Sequence, residues 1–248
     1  MTDLIYRKEY IVHTYETEAR GLARPVALLN FLQDAAGDHA GRLGLSVVDL
    51  FKRNMTWVLS RYHVLIHRYP ALGERLEVMT WPSGKHGYFA LRDFEVSDGS
   101  GGPILSATSS WMVIGLEKKQ AVKVDDVVGP GYAVEKRALD DPFASLPVLS
   151  ARESEVRFRV ETAHLDWNRH VNNAVYVQWA LEGVPPDVLM SLCPMELEVS
   201  YRAEALYGDE VLSAAQRVPE GDTGPIFPHQ ILNAITGTEF ARLRTRWE

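Results

Sequence analysis

The feature that most constrains the fold is a weak internal repeat with an offset of 135 residues. Placing Gly73-Glu74 over Gly208-Asp209 aligns the segment MTWVLSRYHVLIHRYPALGERLEV with SLCPMELEVSYRAEALYGDEVLS. Solenoid and propeller repeats have periods of only about 20–50 residues. The repeat therefore predicts the duplication of a whole domain, so each half must hold a complete set of structural elements.

Both halves show the same predicted order: an extended segment, a helix and then a series of long strands. The extended segments lie at 6–15 and 154–162. Stretches rich in apolar residues and bounded by turn residues, as at 98–103, predict the strands. The predicted strands are 57–68, 74–81, 87–97 and 104–114 in the first half, and 195–205, 210–217, 227–234 and 239–247 in the second.

The two predicted helices are apolar around most of their circumference. Pro25 suits the first turn of the first helix, and Leu28 and Leu32 recur at helical spacing. Val175 and Trp179 do the same in the second helix. A curved antiparallel sheet around one helix supplies the wide burial that such helices need. The sequence thus predicts two α+β units, at 1–116 and 153–248, joined by a surface linker at 117–152.

The composition is that of a globular chain and excludes several protein classes. Hydrophobic residues make up 46% of the chain and charged residues 24%, which is sufficient for a sizeable core. The sequence lacks both the roughly 20 consecutive apolar residues of a membrane span and a signal peptide, and it predicts a cytoplasmic protein. A net charge of −7 argues against nucleic acid as a partner. A single cysteine and scattered histidines predict no disulfide, no metal and no cofactor.

The densest chemical motif precedes the second helix and runs His164-Leu165-Asp166-Trp167-Asn168-Arg169-His170-Val171-Asn172-Asn173. The alternating Asp166, Asn168 and His170 can point the same way in an extended or turning segment. The backbone N–H groups of Val171 and Asn172, at the helix start, are candidates for holding an oxyanion. Ester or thioester hydrolysis needs such a set of groups. Turn formation and helix capping explain the Asp and Asn residues equally well.

A second carboxylate favours the catalytic interpretation. Glu204 lies in a strand-like stretch between small alanines, where it can bind or activate water close to His170. The alternative is a strand-edge Glu204 paired with Arg202 on a solvated face. The repeat places Tyr69 at the corresponding position of the first half, which therefore reads as a non-catalytic copy.

The sequence resembles the acyl-acyl-carrier-protein thioesterases of plants and bacteria over nearly its whole length. In the first half the resemblance rests on Leu29 to Ala35, His39, Gly44, Trp57, Arg61, Arg68 to Pro70, Gly73, Thr80, Trp81 and Gly87. In the second half it rests on Asp166, Asn168, His170, Asn172, Asn173, Tyr176, Trp179, Tyr201, Arg202 and Glu204.

The resemblance implies a tandem hotdog fold and hydrolysis of the thioester that links a fatty acyl chain to its carrier protein. Asp166, Asn168, His170 and Glu204 match the catalytic positions of the family. Plant members carry a cysteine at the position of Ala205, once proposed as a nucleophile, so this chain has no thiolate there. Cys193 has no flanking base, and water is the predicted nucleophile. An acyl-coenzyme A thioesterase, a 3-hydroxyacyl dehydratase and a non-catalytic acyl-binding module remain alternatives.

The substrate is expected to contact both halves. An apolar slot between the helices and the inner sheet face is the expected place for the acyl chain, with Leu28, Leu32, Met55 and Trp57 as candidate lining residues or ordinary core. An acidic carrier protein requires basic residues near the site. The candidates are Arg24, Lys52, Arg53, Arg169 and Arg202. Formation of a homodimer stays open.

Overall fold

The structure is a computed structural model that describes residues 4–221 and 224–248. The chain divides into two units, the first ending at Pro142 and the second beginning at Phe143. This division lies inside the segment predicted as a linker. Among the described residues, no helix combines the length and the apolar character that crossing a membrane requires.

The first unit is an antiparallel sheet with a long helix packed on it. Its strands pair in the order β1-β3-β4-β5-β2, with the short β6 on β5, and α1 packs against β3 and β1. The elements are β1 (Tyr6–Ile11), α1 (Pro25–Arg42), α2 (Val47–Lys52), β2 (Met55–Ile66), β3 (Arg75–His86), β4 (Phe89–Asp98), β5 (Pro103–Gly115) and β6 (Gln120–Val122).

The second unit repeats this arrangement. Its strands pair in the order β7-β9-β11-β12-β8, with β10 on β11, and α3 packs against β11, β9 and β12. The elements are β7 (Ser154–Arg159), α3 (Asn173–Leu181), α4 (Pro186–Ser191), β8 (Pro194–Tyr201), β9 (Glu210–Ala215), β10 (Val218–Gly221), β11 (Gly224–Asn233) and β12 (Glu239–Trp247). The predicted α+β class, with one long helix on an antiparallel sheet in each half, is confirmed.

The pairing register confirms the duplication residue by residue. The first strands of the two units correspond at an offset of 148 residues, the next three pairs of strands at 135, and β12 corresponds to β5 at 136. Corresponding pairs are Tyr6↔Thr80 with Ser154↔Ala215, Leu76↔Asp98 with Val211↔Asn233, and Val64↔Ala107 with Val199↔Leu243. Because a slip of one residue would turn every side chain to the other face, the shared register places corresponding residues on corresponding faces.

Both helices are buried over a wide face, as their sequences predict. In α1, Leu28 and Leu32 are at most 1% exposed, and the helix begins at Pro25. In α3, seven of the nine residues are buried, including Tyr176 and Trp179. A helix that is apolar nearly all round gains stability from such packing far more than from its own propensity.

The strand β8 ends earlier than the predicted strand 195–205. Its ladder with β12 stops after Tyr201, because the N–H groups of Arg202 and Ala203 both donate to the same carbonyl, that of Phe240, at 2.8 and 3.2 Å. The prediction that Glu204 lies in a strand is therefore wrong. Glu204 belongs to an irregular segment that follows β8.

The segment predicted as a linker begins as part of the first unit. The strand β6 pairs with β5, and the apolar side chains that follow it join a buried cluster. The buried members of this cluster are Leu50, Ala90, Val113, Val124, Val127 and Val128. The prediction of a surface linker from residue 117 onward is therefore wrong for this stretch, because its valines contribute to the core.

The next stretch, residues 132–138, is a strap that is bound to neighbouring residues of the sheet. Tyr132 packs against the cluster around Leu50, and its hydroxyl interacts with the buried Arg92 on β4. The N–H of Val134 then donates to the carbonyl of Pro82, at 2.9 Å. The strap ends on Asp93, which accepts from Arg137 Nε at 3.1 Å and from the N–H of Ala138 at 2.7 Å. Since neighbouring residues of a strand face opposite ways, Arg92 and Asp93 hold the strap from both faces of the sheet.

Candidate active site

The motif before α3 folds into a tight turn, residues 165–171, closed by a bridge between Leu165 and Val171. Oδ1 of Asp166 accepts the N–H of Asn168 at 2.8 Å and the N–H of His170 at 3.3 Å. The N–H of Asp166 donates to the carbonyl of His170 at 2.8 Å. The side chain of Asp166 thus caps the turn, as Asp residues commonly do.

The first unit contains the same turn at residues 17–23. Oε1 of Glu18 accepts the N–H groups of Arg20 and Leu22 at 3.0 and 3.3 Å, and the N–H of Glu18 donates to the carbonyl of Leu22. At the offset of 148 residues, Glu18 corresponds to Asp166 and Leu22 to His170. An acid-capped turn (17–23 or 165–171) therefore forms in both copies, including the copy that has no histidine in the turn.

The second unit alone places a histidine and a carboxylate together at this turn. Nε2 of His170 lies 3.5 Å from Oε2 of Glu204. The two side chains are 41% and 56% exposed, so the pair is open to water. The corresponding residues of the first unit are Leu22 and Tyr69, which have no acid–base function of this kind. The pair is therefore the chemical difference between the two copies.

Two hydrogen bonds of Ala205 fix the backbone next to Glu204. Its N–H donates to the Tyr176 hydroxyl at 2.9 Å, and its carbonyl accepts the N–H of Val171 at 3.3 Å. Burial, with the nearby charges of Glu204, Asp209 and Asp166, raises the pKa of Tyr176, so this phenol stays protonated. Tyr176, which the sequence reasoning named without a role, therefore joins α3 to the segment that carries Glu204.

The side chain of Asn168 carries an unused acceptor. Its Oδ1 is buried and has no hydrogen-bond partner among the described residues. A buried acceptor without a donor costs about 1–3 kcal/mol, and a donor bound at this atom would recover that cost. Water and a substrate hydroxyl are donors of the required kind.

The two N–H groups predicted to bind an oxyanion form other hydrogen bonds. The N–H of Val171 donates to the carbonyl of Ala205, and the N–H of Asn172 donates to the carbonyl of His164 at 2.9 Å. The prediction that these two groups are free to bind an oxyanion is therefore wrong. Asn172 instead caps α3 through Oδ1, which accepts the N–H of Ala174 at 2.9 Å. Among the described residues, the N–H of Asn173 is the helix-start donor that has no acceptor.

Comparison with known proteins assigns the chain to one family. Residues 3–132 match the model of the acyl-ACP thioesterase N-terminal domain, and residues 149–248 match that of the C-terminal domain. The chain belongs to the acyl-ACP thioesterase family. Its fold is therefore the tandem hotdog that the resemblance implies.

Several plant members of the acyl-ACP thioesterase family are similar over almost the whole chain. A chloroplastic acyl-[acyl-carrier-protein] hydrolase of Cuphea viscosissima is 32% identical over 98% of this chain and 63% of its own length. A chloroplastic palmitoyl-acyl carrier protein thioesterase of Cuphea hookeriana is 32% identical over 98% of this chain and 62% of its own length. The chain thus spans less than two thirds of the length of these relatives.

Solved structures of the family share the fold. The 12:0-ACP thioesterase from Umbellularia californica superposes with a TM-score of 0.89 at 25% identity, over 100% of this chain and 95% of that one. An acyl-ACP thioesterase from Bacteroides thetaiotaomicron gives a TM-score of 0.87 at 24% identity, over 98% of each chain.

The position at which the resemblance implies a cysteine in plant members holds a fully buried alanine in this chain. Ala205 is 0% exposed, whereas the neighbouring Glu204 is exposed. The remaining thiol, Cys193, lies before the start of β8, while Glu204 follows its end. The eight residues of β8 span roughly 26 Å at about 3.3 Å per residue, so Cys193 is far from the His170–Glu204 pair.

The four candidate acyl-contacting residues lie in the first unit in two groups. Leu28 and Leu32 are buried on α1. Met55 and Trp57 are half-buried on β2, where they pack against the cluster around Leu50. Trp57 also donates from Nε1 to the carbonyl of Leu45 at 2.8 Å. The sequence prediction that they line an acyl slot stays a prediction.

The five candidate carrier-binding cations have different surroundings. In the first unit, Arg24 donates to the carbonyl of Thr17 at 2.9 Å, and Lys52 and Arg53 lie at the end of α2. In the second unit, Arg202 pairs with Glu239 at 3.4 Å. Arg169 is exposed in the acid-capped turn and forms no ion pair within the described part of the chain.

Proposed function

We propose that the protein hydrolyses the thioester of a fatty acyl-acyl carrier protein, releasing the free fatty acid and the carrier thiol. The observation that carries this proposal is the His170–Glu204 contact of 3.5 Å beside the start of α3. Membership of the acyl-ACP thioesterase family and the names of the similar plant hydrolases support it.

Water is the proposed nucleophile. The Glu204 carboxylate accepts a proton from water while the water oxygen attacks the thioester carbonyl carbon. Asn168 Oδ1, a buried acceptor, holds the second hydrogen of the water. The buried Ala205 and the distant Cys193 leave the carboxylate–histidine pair as the group suited to activate water.

The tetrahedral intermediate then collapses by breaking the carbon–sulfur bond. The N–H of Asn173 stabilises the developing oxyanion, because it is the donor left over at the helix start. His170 transfers a proton to the departing sulfur, and the proton that Glu204 took from water replaces it through their direct contact. One water is consumed, and one carboxylic acid and one thiol are formed.

Asp166 is proposed as a positioning residue. Its Oδ1 caps the turn in the same way as Oε1 of Glu18 does in the copy without the pair. A carboxylate that serves folding in both copies is a weaker candidate for the base than Glu204, which has no acidic counterpart in the first unit.

The test is thiol release from matched thioesters of one acyl chain on acyl carrier protein and on coenzyme A. Glu204→Gln keeps the size of the side chain and removes the base, so kcat should fall by about 10²–10⁴-fold. His170→Asn should give a loss of similar size. Cys193→Ala should keep wild-type turnover, since this thiol lies at the other end of β8.

Absence of thiol release from every acyl thioester would exclude the hydrolase function. Faster turnover of the coenzyme A thioesters would instead identify an acyl-coenzyme A thioesterase. Full activity of Glu204→Gln would exclude the proposed base. A homodimer and a cytoplasmic location stay predictions from the sequence, and light scattering in solution measures the first of them.

A further inference from the structure

Four large side chains within three residues of His170 or Glu204 in the sequence are exposed. Trp167 is 65% exposed, Leu206 51% and Tyr207 64%. Arg169 is exposed as well. These four residues form the rim patch. Large apolar side chains at the surface are common singly, but a group of them beside a reactive pair indicates an interaction site.

The two loops that carry the rim patch are held by hydrogen bonds. Trp167 and Arg169 belong to the acid-capped turn. Leu206 and Tyr207 lie in a second loop, where the N–H of Leu206 donates to Oδ2 of Asp209 at 2.9 Å. The N–H of Gly208 then donates to the carbonyl of Val160 at 3.0 Å. The side chains are therefore presented on an ordered backbone.

The first unit is an internal reference for these loops. At the positions of Trp167, Arg169, Leu206 and Tyr207 it has Ala19, Gly21, Ala71 and Leu72. The same backbone thus forms with much smaller side chains at three of the four positions. The backbone of these loops therefore does not require the large side chains of the second unit.

Arg169 gives the strongest indication, because it is held in an unfavourable backbone conformation. Its φ is +66°, in the left-handed region, and the corresponding Gly21 has a φ of +77°. Glycine adopts this region freely, whereas a residue with a Cβ pays roughly 1–2 kcal/mol there. The second unit tolerates this strain and gains an exposed cation one residue from His170.

We propose that the rim patch is the docking surface for the acyl carrier protein, an inference that rests on the proposed function. The thioester must reach the His170–Glu204 pair, and whatever delivers it lies over these loops. Trp, Tyr and Arg are the residue types that dominate the binding energy of protein interfaces. Arg169 complements an acidic carrier, and the apolar side chains form the dry centre of the contact.

A protein partner fits this surface better than the nucleotide of a coenzyme. A nucleotide with several phosphates needs a cluster of unpaired cations. In the rim patch Arg169 is the one cation, and the neighbouring Arg202 is already engaged with Glu239. Three large apolar side chains instead suit the apolar and acidic surface of a small carrier protein.

The experiment measures binding of the unacylated holo-carrier protein by fluorescence anisotropy, together with KM for matched acyl-carrier and acyl-pantetheine thioesters. The substitutions copy the first unit: Trp167→Ala, Arg169→Gly and Leu206→Ala. Each suits its backbone, and circular dichroism verifies folding. Ile235→Ala and Met190→Ala are controls, since these residues are 81% and 72% exposed and lie outside the rim patch.

Trp167→Ala and Arg169→Gly should each weaken carrier binding by about tenfold or more, as interface hot spots do, while the controls bind like the wild type. The ratio of the KM for the carrier thioester to that for the pantetheine thioester should rise in parallel. Wild-type carrier binding in all three rim variants would overturn the docking surface. A different outcome is also informative: the wild type binds the carrier but releases no thiol, and the rim variants lose binding. That result would support the docking surface and overturn the proposed hydrolysis.

Discussion

The backbone N–H of Ala205 donates to the hydroxyl of Tyr176 at 2.9 Å, and both residues are buried. Glu204 precedes Ala205, so this bond restrains the carboxylate that contacts His170. Tyr176→Phe removes the acceptor and leaves a buried N–H without a partner, which costs about 1–3 kcal/mol. We expect kcat to fall by about tenfold with KM little changed, because the acyl-contacting groups stay in place.

The control for Tyr176→Phe is Tyr10→Phe, which also removes a tyrosine hydroxyl that forms a hydrogen bond within its own unit. The Tyr10 hydroxyl bonds to Asp34 at 2.7 Å in the first unit, which has no His–Glu pair at its turn. Its kcat should equal that of the wild type. The split between kcat and KM is the readout specific to positioning, because misplacing Glu204 should lower kcat while KM stays near the wild-type value. Wild-type kcat in Tyr176→Phe would contradict the positioning role.

Two substitutions separate the role of Asp166 in forming the turn from the role of its negative charge. Asp166→Asn keeps an oxygen that accepts the N–H groups of Asn168 and His170, but it carries no negative charge. If Asp166 acts through the turn, Asp166→Asn should retain activity within about tenfold, whereas Asp166→Ala should lose most of it. Steady-state kinetics with an acyl-carrier thioester measures both variants.

The first unit supplies the matched control for this prediction. Glu18→Ala removes the same cap from a turn that has no His–Glu pair. It should lower the free energy of unfolding by about 0.5–2 kcal/mol, as the loss of a cap does, and leave kcat unchanged. If Asp166→Asn is as inactive as Glu204→Gln, then Asp166 acts as a base.

His229 predicts a specific pH dependence of stability. Burial lowers its pKa from 6.5 to about 3, so the folded protein keeps the ring neutral. The unfolded chain binds a proton below pH 6.5, and the folded chain does so only below about pH 3. Between these values His229 makes stability fall as the pH falls, by up to about 1.4 kcal/mol per pH unit.

The duplication suggests the substitution that removes this dependence. Phe94 occupies the corresponding position in the first unit, so His229→Phe places a residue there that the same sheet already accommodates. Urea unfolding at pH 7 and pH 5 should show a smaller loss of stability on acidification in His229→Phe than in the wild type. Equal losses in both proteins would show that His229 is not the group responsible.

Asp93 holds the strap of residues 132–138 on the sheet. Its carboxylate is 0% exposed and accepts from Ser83 and Thr108 as well as from Arg137 and the N–H of Ala138. Asp93→Ala leaves the Arg137 cation and these donors without their acceptor. The free energy of unfolding should fall by about 3–5 kcal/mol in urea denaturation.

Glu95 is the matched control for Asp93 because it binds the same strap from an exposed position. It pairs with Lys136 at 2.8 Å, and the two side chains are 37% and 43% exposed. Glu95→Ala should cost less than about 1 kcal/mol, since exposed ion pairs contribute little. Similar costs for the two variants would contradict the burial argument.

The sequence predicts those strands and helices whose positions depend on the order of apolar and turn residues within a short stretch of chain. The strand β12 was predicted at 239–247, and the structure has Glu239–Trp247. Alternating side chains and turn glycines determine such strands within a few residues of sequence. The repeat extended this information, because aligning the two halves predicted the same order of strands in both units.

The features that sequence reasoning missed depend on partners distant in the chain. The N–H of Val171 donates to the carbonyl of Ala205. The N–H of Ala205 donates to the hydroxyl of Tyr176, which lies 29 residues away in the chain. The strand β8 ends early because the N–H groups of Arg202 and Ala203 both donate to the carbonyl of Phe240 on β12. The equivalent turn in the first half was also missed, because the residues just before the first helix, 21–24, include no Asp, Asn or His, and the turn is capped by Glu18 instead.

The acid-capped turn also has an evolutionary consequence. A mutation at Glu18 damages folding in the first unit, and a mutation at Asp166 damages folding and activity in the second. Leu22 has no acid–base role in the first turn, whereas its counterpart His170 has one in the second. We therefore expect related sequences to vary at residue 22 while keeping an acid at 18. Such a pattern would show that the turn existed before the duplication and that the His170–Glu204 pair arose in only one of the two copies.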